Sequence, residues 1–295
     1  MTDAVARIHA AFADAGVTGR LHALDIDSGE ELDAGADQPV CTASVHKLCL
    51  LVALHERAAR GALDLAEQVE TVPGGRTAGP TGVAAMLDAA RMSLRDLAYL
   101  MMAVSDNAAA DLLLRRVGLD AVNATTGRLG LTRTRAVHSF GEMLATMRED
   151  AGPDGARALA DPRVVSRLRA LDPDRTNRST PRDMTRLLRA VWRDEACTPE
   201  HGAAMRRIMG LQVWPHRLAS GFPFDDVHVA GKTGSLPTLR NEVGVVEYPD
   251  GGRYAVAVFT RTAHTAATLP AADAVIGTAA RIAVDALRAK AFRSR

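Results

Sequence analysis

The spacing of apolar side chains changes character twice along this chain. The first segment, Met1–Val17, has an amphipathic helical pattern, and residues 20–27 then alternate apolar and polar side chains before a Ser-Gly turn, which predicts a short hairpin. From residue 43 to about residue 60 the apolar positions return at helical spacing, and Gly61 ends this predicted helix.

The middle of the chain, roughly residues 62–210, has helical spacing over most of its length. Ser93 marks one predicted helix start, and Pro181 lies near the first position of another, where its missing N–H costs nothing. After Pro223 the pattern becomes that of β-strands. The predicted strands are 227–230, 242–247 and 254–260, and the predicted closing helix is 271–292.

This order of elements predicts an α+β protein in which both chain ends contribute to one sheet. We expect residues 1–60 and 211–295 to form one α/β domain, a sandwich of helices and sheet. Residues 61–210 are then an inserted all-helical domain.

Composition and charge exclude several classes of protein. The chain has 36 basic and 35 acidic residues, a net charge of +1, and so has no general field that would attract nucleic acid or an anionic membrane. No run approaches the ~20 apolar residues that a membrane-spanning helix needs. The expected partner is therefore a small-molecule substrate.

Cysteine and histidine usage predicts neither a disulfide framework nor a metal site. The three cysteines, Cys41, Cys49 and Cys197, are too few for such a framework and are expected to be small buried side chains. The nine histidines show no paired metal-binding spacing, so we expect no metal or other cofactor. Asp3 and Arg7 interrupt the apolar part of the first segment, unlike a secretory signal. The expected location is the cytoplasm, with an exported protein whose signal has been removed as the alternative.

Ser44 and Lys47 form an S-x-x-K motif at the start of a predicted helix. A serine hydroxyl is a weak nucleophile until a nearby base takes its proton. Positions three apart share a helix face, so the lysine amine can reach the hydroxyl, and burial lowers a lysine pKa enough for it to act as a base. Taken alone, the motif also fits an ordinary helix N-terminus.

Ser105, Asp106 and Asn107 form a second motif, S-D-N, directly after an apolar helix. The Ser105 hydroxyl can relay a proton, while the Asn107 side chain can bond both to Lys47 and to a substrate amide. Taken alone, this motif also fits a turn between two helices that is capped by its own side chains.

The third motif is K-T-G, formed by Lys232, Thr233 and Gly234 and followed by Ser235 on a predicted strand. A lysine ammonium and hydroxyl groups at a strand edge can hold a substrate carboxylate, and a glycine lets the substrate backbone approach closely. Taken alone, the motif also fits a turn at a strand end.

In this order, on a helix, a loop of the helical block and a strand, the three motifs resemble those of the class A β-lactamase and penicillin-binding-protein superfamily. The resemblance extends along nearly the whole chain, including the Thr-Pro helix start at residues 180–184 and the run 241–246. It implies a sheet of about five antiparallel strands packed on the terminal helices, an all-helical domain, and an active-site cleft between them.

The resemblance also assigns roles to the motif residues. Ser44 is implied to be the nucleophile that becomes acylated, Lys47 to help activate it, and Ser105 and Lys232 to share proton transfer. The backbone N–H groups of Ser44 and Ser235 are implied to form the oxyanion hole. The residues implied to position the substrate are Asn107, Thr233, Gly234 and Ser235.

One feature of the superfamily is missing from this chain. Efficient class A β-lactamases carry an E-x-x-L-N loop after S-D-N, whose glutamate activates the water that releases the acyl group. Here Glu142 lies in roughly the corresponding region and is the candidate base, with Asp172 and Asp174 as later candidates. Since loss of a general base costs ~10²–10⁴ in rate, we expect acylation to survive and release to be slow.

The sequence thus predicts a serine acyl-enzyme hydrolase that acts on a β-lactam or a related ester or amide. Two alternatives stay open. One is a carboxylesterase or an enzyme resembling a D-aminoacyl peptidase. The other is a protein that binds or senses a β-lactam without turning it over, because fold resemblance does not choose a substrate.

Overall fold

The computed structural model describes residues 2–293 and contains one large sheet with helices on both of its faces. In chain order, the strands are β1 (Val17–Asp25), β2 (Glu31–Ala34), β3 (Val40–Cys41), β4 (Gln68–Thr71), β5 (Ala90–Ser93), β6 (Arg178–Ser179), β7 (His228–Leu236), β8 (Leu239–Glu247) and β9 (Arg253–Thr262). The α-helices are α1 (Thr2–Asp14), α2 (Lys47–Ala59), α3 (Leu94–Ala103), α4 (Asn107–Val117), α5 (Leu119–Arg128), α6 (Phe140–Ala151), α7 (Pro162–Val165), α8 (Pro181–Trp192), α9 (Pro199–Met209) and α10 (Pro270–Arg293).

The large sheet has five antiparallel strands in the order β2-β1-β9-β8-β7. Strands from the two ends of the chain therefore meet where β1 pairs with β9, which confirms the predicted α+β fold and its sheet. β7 lies at one edge, so one side of that strand is free of a neighbouring strand.

Alternate side chains of the central strand β9 enter two different cores, as the two-residue period of a strand requires. Val256 and Val258 pack with α1 and α10, where Ile8 and Ile276 are fully buried. Ala255, Ala257 and Phe259 face the opposite core, which is continuous with the helical block. The sheet is thus covered on both faces.

Helix α2 passes through the middle of the second core. Every residue from 47 to 56 is buried, so this helix has no solvent-exposed face over its first ten residues. A helix that is buried all round holds the chain segment at its N-terminus in a fixed place. That segment carries the S-x-x-K motif.

Two predicted helix starts are confirmed in detail. The Ser93 hydroxyl caps α3 by accepting from the N–H of Asp96 at 3.2 Å, and the Thr180 hydroxyl caps α8 by accepting from the N–H of Asp183 at 3.1 Å. Pro181 is the first residue of α8. Each cap satisfies a backbone donor that the helix itself leaves free.

The description of residues 61–210 as all-helical is wrong in one respect. The block contains the antiparallel pair β4–β5, and β6 pairs with β3 just before Ser44. Residues 68–71 alternate exposed and buried side chains, the period of a strand rather than a helix, over a run too short to stand out in the sequence. The division of the chain into two domains stays a prediction.

Candidate active site

Ser44 lies in a single 3-10 turn, Ala43–His46, that leads directly into α2. Its neighbours Ala43 and Val45 are buried, whereas Ser44 lines a cleft of about 530 Å³. Ala43 has a φ of 49° and Ser105, across the cleft, a φ of 60°. Such left-handed conformations cost a residue other than glycine about 1–3 kcal/mol, and strain of this kind concentrates at functional sites.

The cleft brings the three sequence motifs together. Its walls include the turn before α2, the turn between α3 and α4, and the edge strand β7, together with residues 80–81 and 214–217. The lining residues are Ser44, Pro80, Thr81, Val104, Ser105, Asn107, Trp214, His216, Arg217, Thr233 and Ser235. Five of the predicted site residues therefore share one cleft, while Lys47 and Lys232 lie fully buried behind its wall.

The Lys47 amine is held by the S-D-N turn. Its Nζ donates to the backbone carbonyl of Ser105 and to Oδ1 of Asn107, both at 2.7 Å, and lies 3.3 Å from the Ser105 hydroxyl. The ring of Phe140 covers the amine, with its centroid 4.6 Å from Nζ. This geometry matches the predicted link between Lys47 and Asn107.

Burial lowers the pKa of Lys47 from 10.5 to about 7, although the carboxylates of Asp106 and Asp111 act in the opposite direction. A neutral amine has two N–H bonds and one lone pair. The two short contacts use both N–H bonds, which leaves the lone pair to accept a proton from a hydroxyl. Lys47 is therefore equipped to act as a base near neutral pH.

The Ser105 hydroxyl connects the two buried lysines. Lys232 Nζ donates to Ser105 Oγ at 2.9 Å and to the carbonyl oxygen of Thr233 at 2.9 Å. Burial, and then the positive charge of Lys47, hold the pKa of Lys232 well below its usual value. The chain Lys47–Ser105–Lys232 is a continuous path along which a proton can move between the two amines.

Gly234 serves the packing of β7 against the turn that carries Ser44. A Cβ atom on Gly234 would lie 2.7 Å from the carbonyl oxygen of Thr42 and 3.0 Å from the backbone nitrogen of Val45. Gly234 is buried and does not line the cleft. The glycine thus permits the close approach of strand and turn, and its expected role in the approach of substrate stays a prediction.

The Ser235 hydroxyl accepts a hydrogen bond from a buried arginine. Arg217 donates from Nη2 to Ser235 Oγ at 2.7 Å and from Nη1 to the carbonyl oxygens of Gly234 and Asn241. Its Nε donates to Asp273 on α10 at 2.7 Å. Since the guanidinium group is engaged on every side, Arg217 fixes the end of β7 where the oxyanion hole is expected.

Glu242 and Gln212 complete the polar layer behind β7. Gln212 accepts from the backbone N–H of Thr233 and donates to Glu242, both at 2.6 Å. Glu242 also accepts from the backbone N–H of Leu218 at 2.7 Å. Burial raises the pKa of this carboxyl to about 6, against the effect of these hydrogen bonds and of the nearby Arg217 and Lys232.

The Glu142 side chain is engaged at a helix end. It accepts from the backbone N–H of Ser139 at 2.7 Å, while the Ser139 hydroxyl accepts from the N–H of Glu142 at 3.1 Å, so the two residues form a capping box at the start of α6. The hydrogen bonds from Ser139 lower the pKa of Glu142. The structure does not bring Glu142 to the cleft lining, and its role as a base stays a prediction.

The two carboxylates whose charges act on Lys47, Asp106 and Asp111, are also engaged by backbone donors. Asp106 accepts from the N–H of Val83 at 2.5 Å and caps α4. Asp111 accepts from the N–H groups of Phe140 and Gly141 and from the Thr77 hydroxyl, at 2.6–2.9 Å. The later candidates Asp172 and Asp174 do not line the cleft.

Sequence reasoning assigned no role to several polar residues that hold the site together. Asn241 donates to the carbonyl oxygen of Cys41 at 3.0 Å and so ties β8 to the segment before Ser44. A polar pair, Asn241-Glu242, inside an otherwise apolar strand was a usable signal. The contacts of Arg217, Gln212 and Phe140 join segments far apart in the chain, so no local sequence pattern indicates them.

Other expectations concern residues outside the chemistry. Cys41 and Cys49 are buried, and burial raises the pKa of each thiol to about 12, so both are inert. Cys197 is half-buried and free.

Within residues 2–293, no group of three metal-binding side chains is close enough to hold an ion, and no helix has the length and apolar character needed to cross a membrane.

Comparisons with known proteins show the family to which the chain belongs. The model of the β-lactamase enzyme family matches residues 3–287. The chain is 36% identical over 297 residues to the β-lactamase regulatory protein BlaB of Streptomyces cacaoi, covering 94% of this chain and 95% of that protein. The chain belongs to the β-lactamase enzyme family.

Solved structures show the same fold. A β-lactamase from Sphaerobacter thermophilus is 26% identical, with a TM-score of 0.80 and 98% of each chain covered. A single-residue mutant of PBP-A, in an acyl-enzyme complex with penicillin G, is 22% identical, with a TM-score of 0.79 over 98% of this chain and 97% of that one. The predicted resemblance is thus confirmed for the family and for the fold.

Proposed function

We propose that this protein is a serine acyl-transfer enzyme in which Ser44 opens a β-lactam ring, or a related ester or amide, and retains the acyl group for a long time. The observation that carries the proposal is the buried chain Lys47–Ser105–Lys232 behind the wall of the cleft that Ser44 lines. A lysine with a pKa of about 7 supplies the base that a serine nucleophile needs.

Acylation would proceed in two proton-balanced steps. Ser44 Oγ attacks the carbonyl carbon while its proton passes to the neutral Lys47 amine. The C–N bond then breaks, and the leaving nitrogen receives a proton from the Ser105 hydroxyl, which is replenished from the Lys47 ammonium. The backbone N–H groups of Ser44 and Ser235 are proposed to stabilise the oxyanion, a contribution of ~3 kcal/mol for each such donor.

Slow release follows from what surrounds Lys47. An aromatic ring, Phe140, lies beside the amine. The carboxylates of Asp106 and Asp111, whose charges act on Lys47, are engaged by backbone N–H groups, and so is Glu142 at the start of α6. In our proposal, none of these groups acts as the base that activates a water molecule. A missing general base slows hydrolysis of the acyl-enzyme by ~10²–10⁴.

The surroundings of Lys47 also favour a second candidate function. This is a binding or sensing protein that is acylated once and does not release the acyl group. The family relative from Streptomyces cacaoi carries the name of a regulatory protein, which suits such a role. A carboxylesterase is the third reading, and it differs by releasing ester products rapidly.

Mass spectrometry of the intact protein after incubation with penicillin G tests the proposal. We expect a mass increase of one penicillin molecule on wild-type protein and none on Ser44→Ala. Absence of any adduct with a panel of penicillins, cephalosporins and activated esters would contradict acylation at Ser44. A chromogenic cephalosporin then separates the readings: a burst followed by slow turnover indicates the enzyme, a burst alone the sensor, and fast ester turnover the esterase.

A further inference from the structure

A second cleft, with a volume of about 390 Å³, lies beside the end of α5. It is bounded by residues 131–135 and by Asp174 and Arg178 in the segment that leads to β6. It shares no lining residue with the active-site cleft. Nothing in the chemistry proposed for Ser44 uses it.

Three arginines line this second cleft: Arg133, Arg135 and Arg178. Among the residues that the structure describes, none of their guanidinium groups has a carboxylate within ion-pair distance. Arg133 and Arg178 each donate to one backbone carbonyl, at 3.0 and 3.2 Å. Asp174 is the acidic residue of the lining, so the lining side chains have an excess of two positive charges. Outside the lining, the charge of Arg133 also acts on the carboxylates of Asp37 and Asp183.

The backbone places two of these charges directly opposite each other. Arg135 and Arg178 form an antiparallel bridge in which each N–H donates to the other residue's carbonyl, at 3.0 and 3.1 Å. Paired residues of this kind project their side chains to the same side, with Cβ atoms ~5 Å apart. Like charges directly opposite each other destabilise such a pair, and an anion bound between them would offset their repulsion.

We propose that this cleft binds a small phosphate-bearing anion. A guanidinium group presents parallel N–H donors that match pairs of phosphate oxygens, and three of them suit a ligand with two or more negative charges. The volume is within the range of small-molecule sites. The binding is independent of Ser44, so it can be measured equally on the Ser44→Ala protein.

Isothermal titration of the full chain with inorganic pyrophosphate at low ionic strength tests this site. We expect saturable binding of one pyrophosphate, weakened about tenfold or more by Arg135→Gln, because a charge-assisted hydrogen bond is lost. Arg115→Gln is the matched control: it removes the same charge from an exposed position of α4, outside the cleft, and should change the affinity less than about twofold.

A second variant keeps the test decisive if Arg135→Gln fails to fold. Asp174→Asn removes the negative charge of the lining and should strengthen binding severalfold. Titrations with a nucleoside triphosphate and a sugar phosphate distinguish the source of the phosphate group by their affinity relative to pyrophosphate. No binding of pyrophosphate, equal binding to the wild-type and Arg135→Gln proteins, or equal weakening by Arg115→Gln would each overturn the proposal.

Discussion

At the scale of single residues, the chemistry depends on the protonation state of Lys47. The amine is fully buried. Its hydrogen bonds to the carbonyl of Ser105 and to Asn107 can both be kept when the amine is neutral. Burial disfavours the charged form and is the main cause of the lowered pKa. A base of this kind works best close to the pH at which it operates.

The rate of Ser44 acylation by penicillin G should therefore rise with pH through about 7, the pKa of Lys47. Only the neutral amine accepts the proton, and below its pKa the neutral fraction falls about tenfold for each pH unit. Lys47→Arg, which stays protonated, should lower the rate by ~10²–10⁴. Quenched mass spectrometry at a series of pH values measures this rate. A flat profile across neutrality would argue against Lys47 as the base.

Phe140 is the second residue on which the proposed chemistry depends. Its ring lies against the Lys47 amine, where a base for release of the acyl group could otherwise stand. Phe140→Glu places a carboxylate there and should raise steady hydrolysis of a chromogenic cephalosporin about tenfold or more. Phe140→Gln is the control, because glutamine is similar in size to glutamate but carries no base, and it should show no increase. Equal turnover in the two variants would mean that a missing base does not limit release. Circular dichroism checks that both variants fold.

At the scale of secondary-structure elements, caps and close contacts set the positions of the functional groups. The start of α6 depends on the reciprocal bonds between Ser139 and Glu142. Because α6 begins with Phe140, this cap also helps to place the ring that covers Lys47.

Variants of Glu142 separate a capping role from a catalytic one. Glu142→Ala should lower the free energy of unfolding by ~1 kcal/mol, since it removes half of the capping box. Glu142→Gln can keep the cap and should leave both stability and the rate of acyl release close to wild type. A loss of release of about 10²-fold or more in Glu142→Gln would instead identify Glu142 as the base, as the sequence suggested. Urea unfolding and the decay of the penicillin adduct provide the two readouts.

The contact between β7 and the Ser44 turn makes Gly234 sensitive to any side chain. Gly234→Ala would bring a methyl group within 2.7 Å of the carbonyl oxygen of Thr42, so strand and turn must separate. We expect a lower melting temperature and acylation slowed by ~10² or more, since misplacement by ~1 Å has effects of that size. Gly74→Ala, where a Cβ meets no atom within 4 Å, is the control. Unchanged acylation in Gly234→Ala would show that the close contact is dispensable.

At the scale of the whole molecule, the site is assembled from distant parts of the chain. Arg217 joins the end of β7 to Asp273 on α10, and Asn241 joins β8 to the segment before Ser44. Buried polar and charged groups therefore link the sheet, the terminal helix and the nucleophile. Charged groups remain charged in the interior only when each has its partners.

Because Glu242 belongs to this buried network, its ionisation makes the free energy of unfolding depend on pH. Its pKa of about 6 lies above its ordinary 4.5, so the folded protein holds the proton more tightly than the unfolded chain does. The resulting stabilisation is complete below pH 4.5 and is lost as the pH rises through about 6, a change of ~2 kcal/mol.

Glu242→Gln mimics the protonated carboxyl and removes this dependence. Between about pH 5 and 7, the free energy of unfolding of the variant should gain ~1–2 kcal/mol relative to wild type, as measured by urea titration. Parallel pH profiles for the two proteins would contradict a raised pKa at this position.

Much of the fold and of the site could be predicted because local patterns determine them. The Ser44–Lys47 spacing on a helix, the caps at Ser93 and Thr180, and the order of the three motifs depend on neighbouring residues. The short strands β4 and β6 could not be predicted in this way, since a run of two to four residues carries too little periodicity.

What the sequence determined by itself was the set of reactive groups, their order and the elements that carry them, because these follow from spacing and side-chain chemistry. Only the tertiary structure decided what surrounds those groups. It placed Phe140 against Lys47, engaged Glu142 at a helix end and turned Gly234 toward the Ser44 turn. The reason is physical: burial and contacts between segments far apart in the chain set a pKa or a free volume, and no local pattern records them.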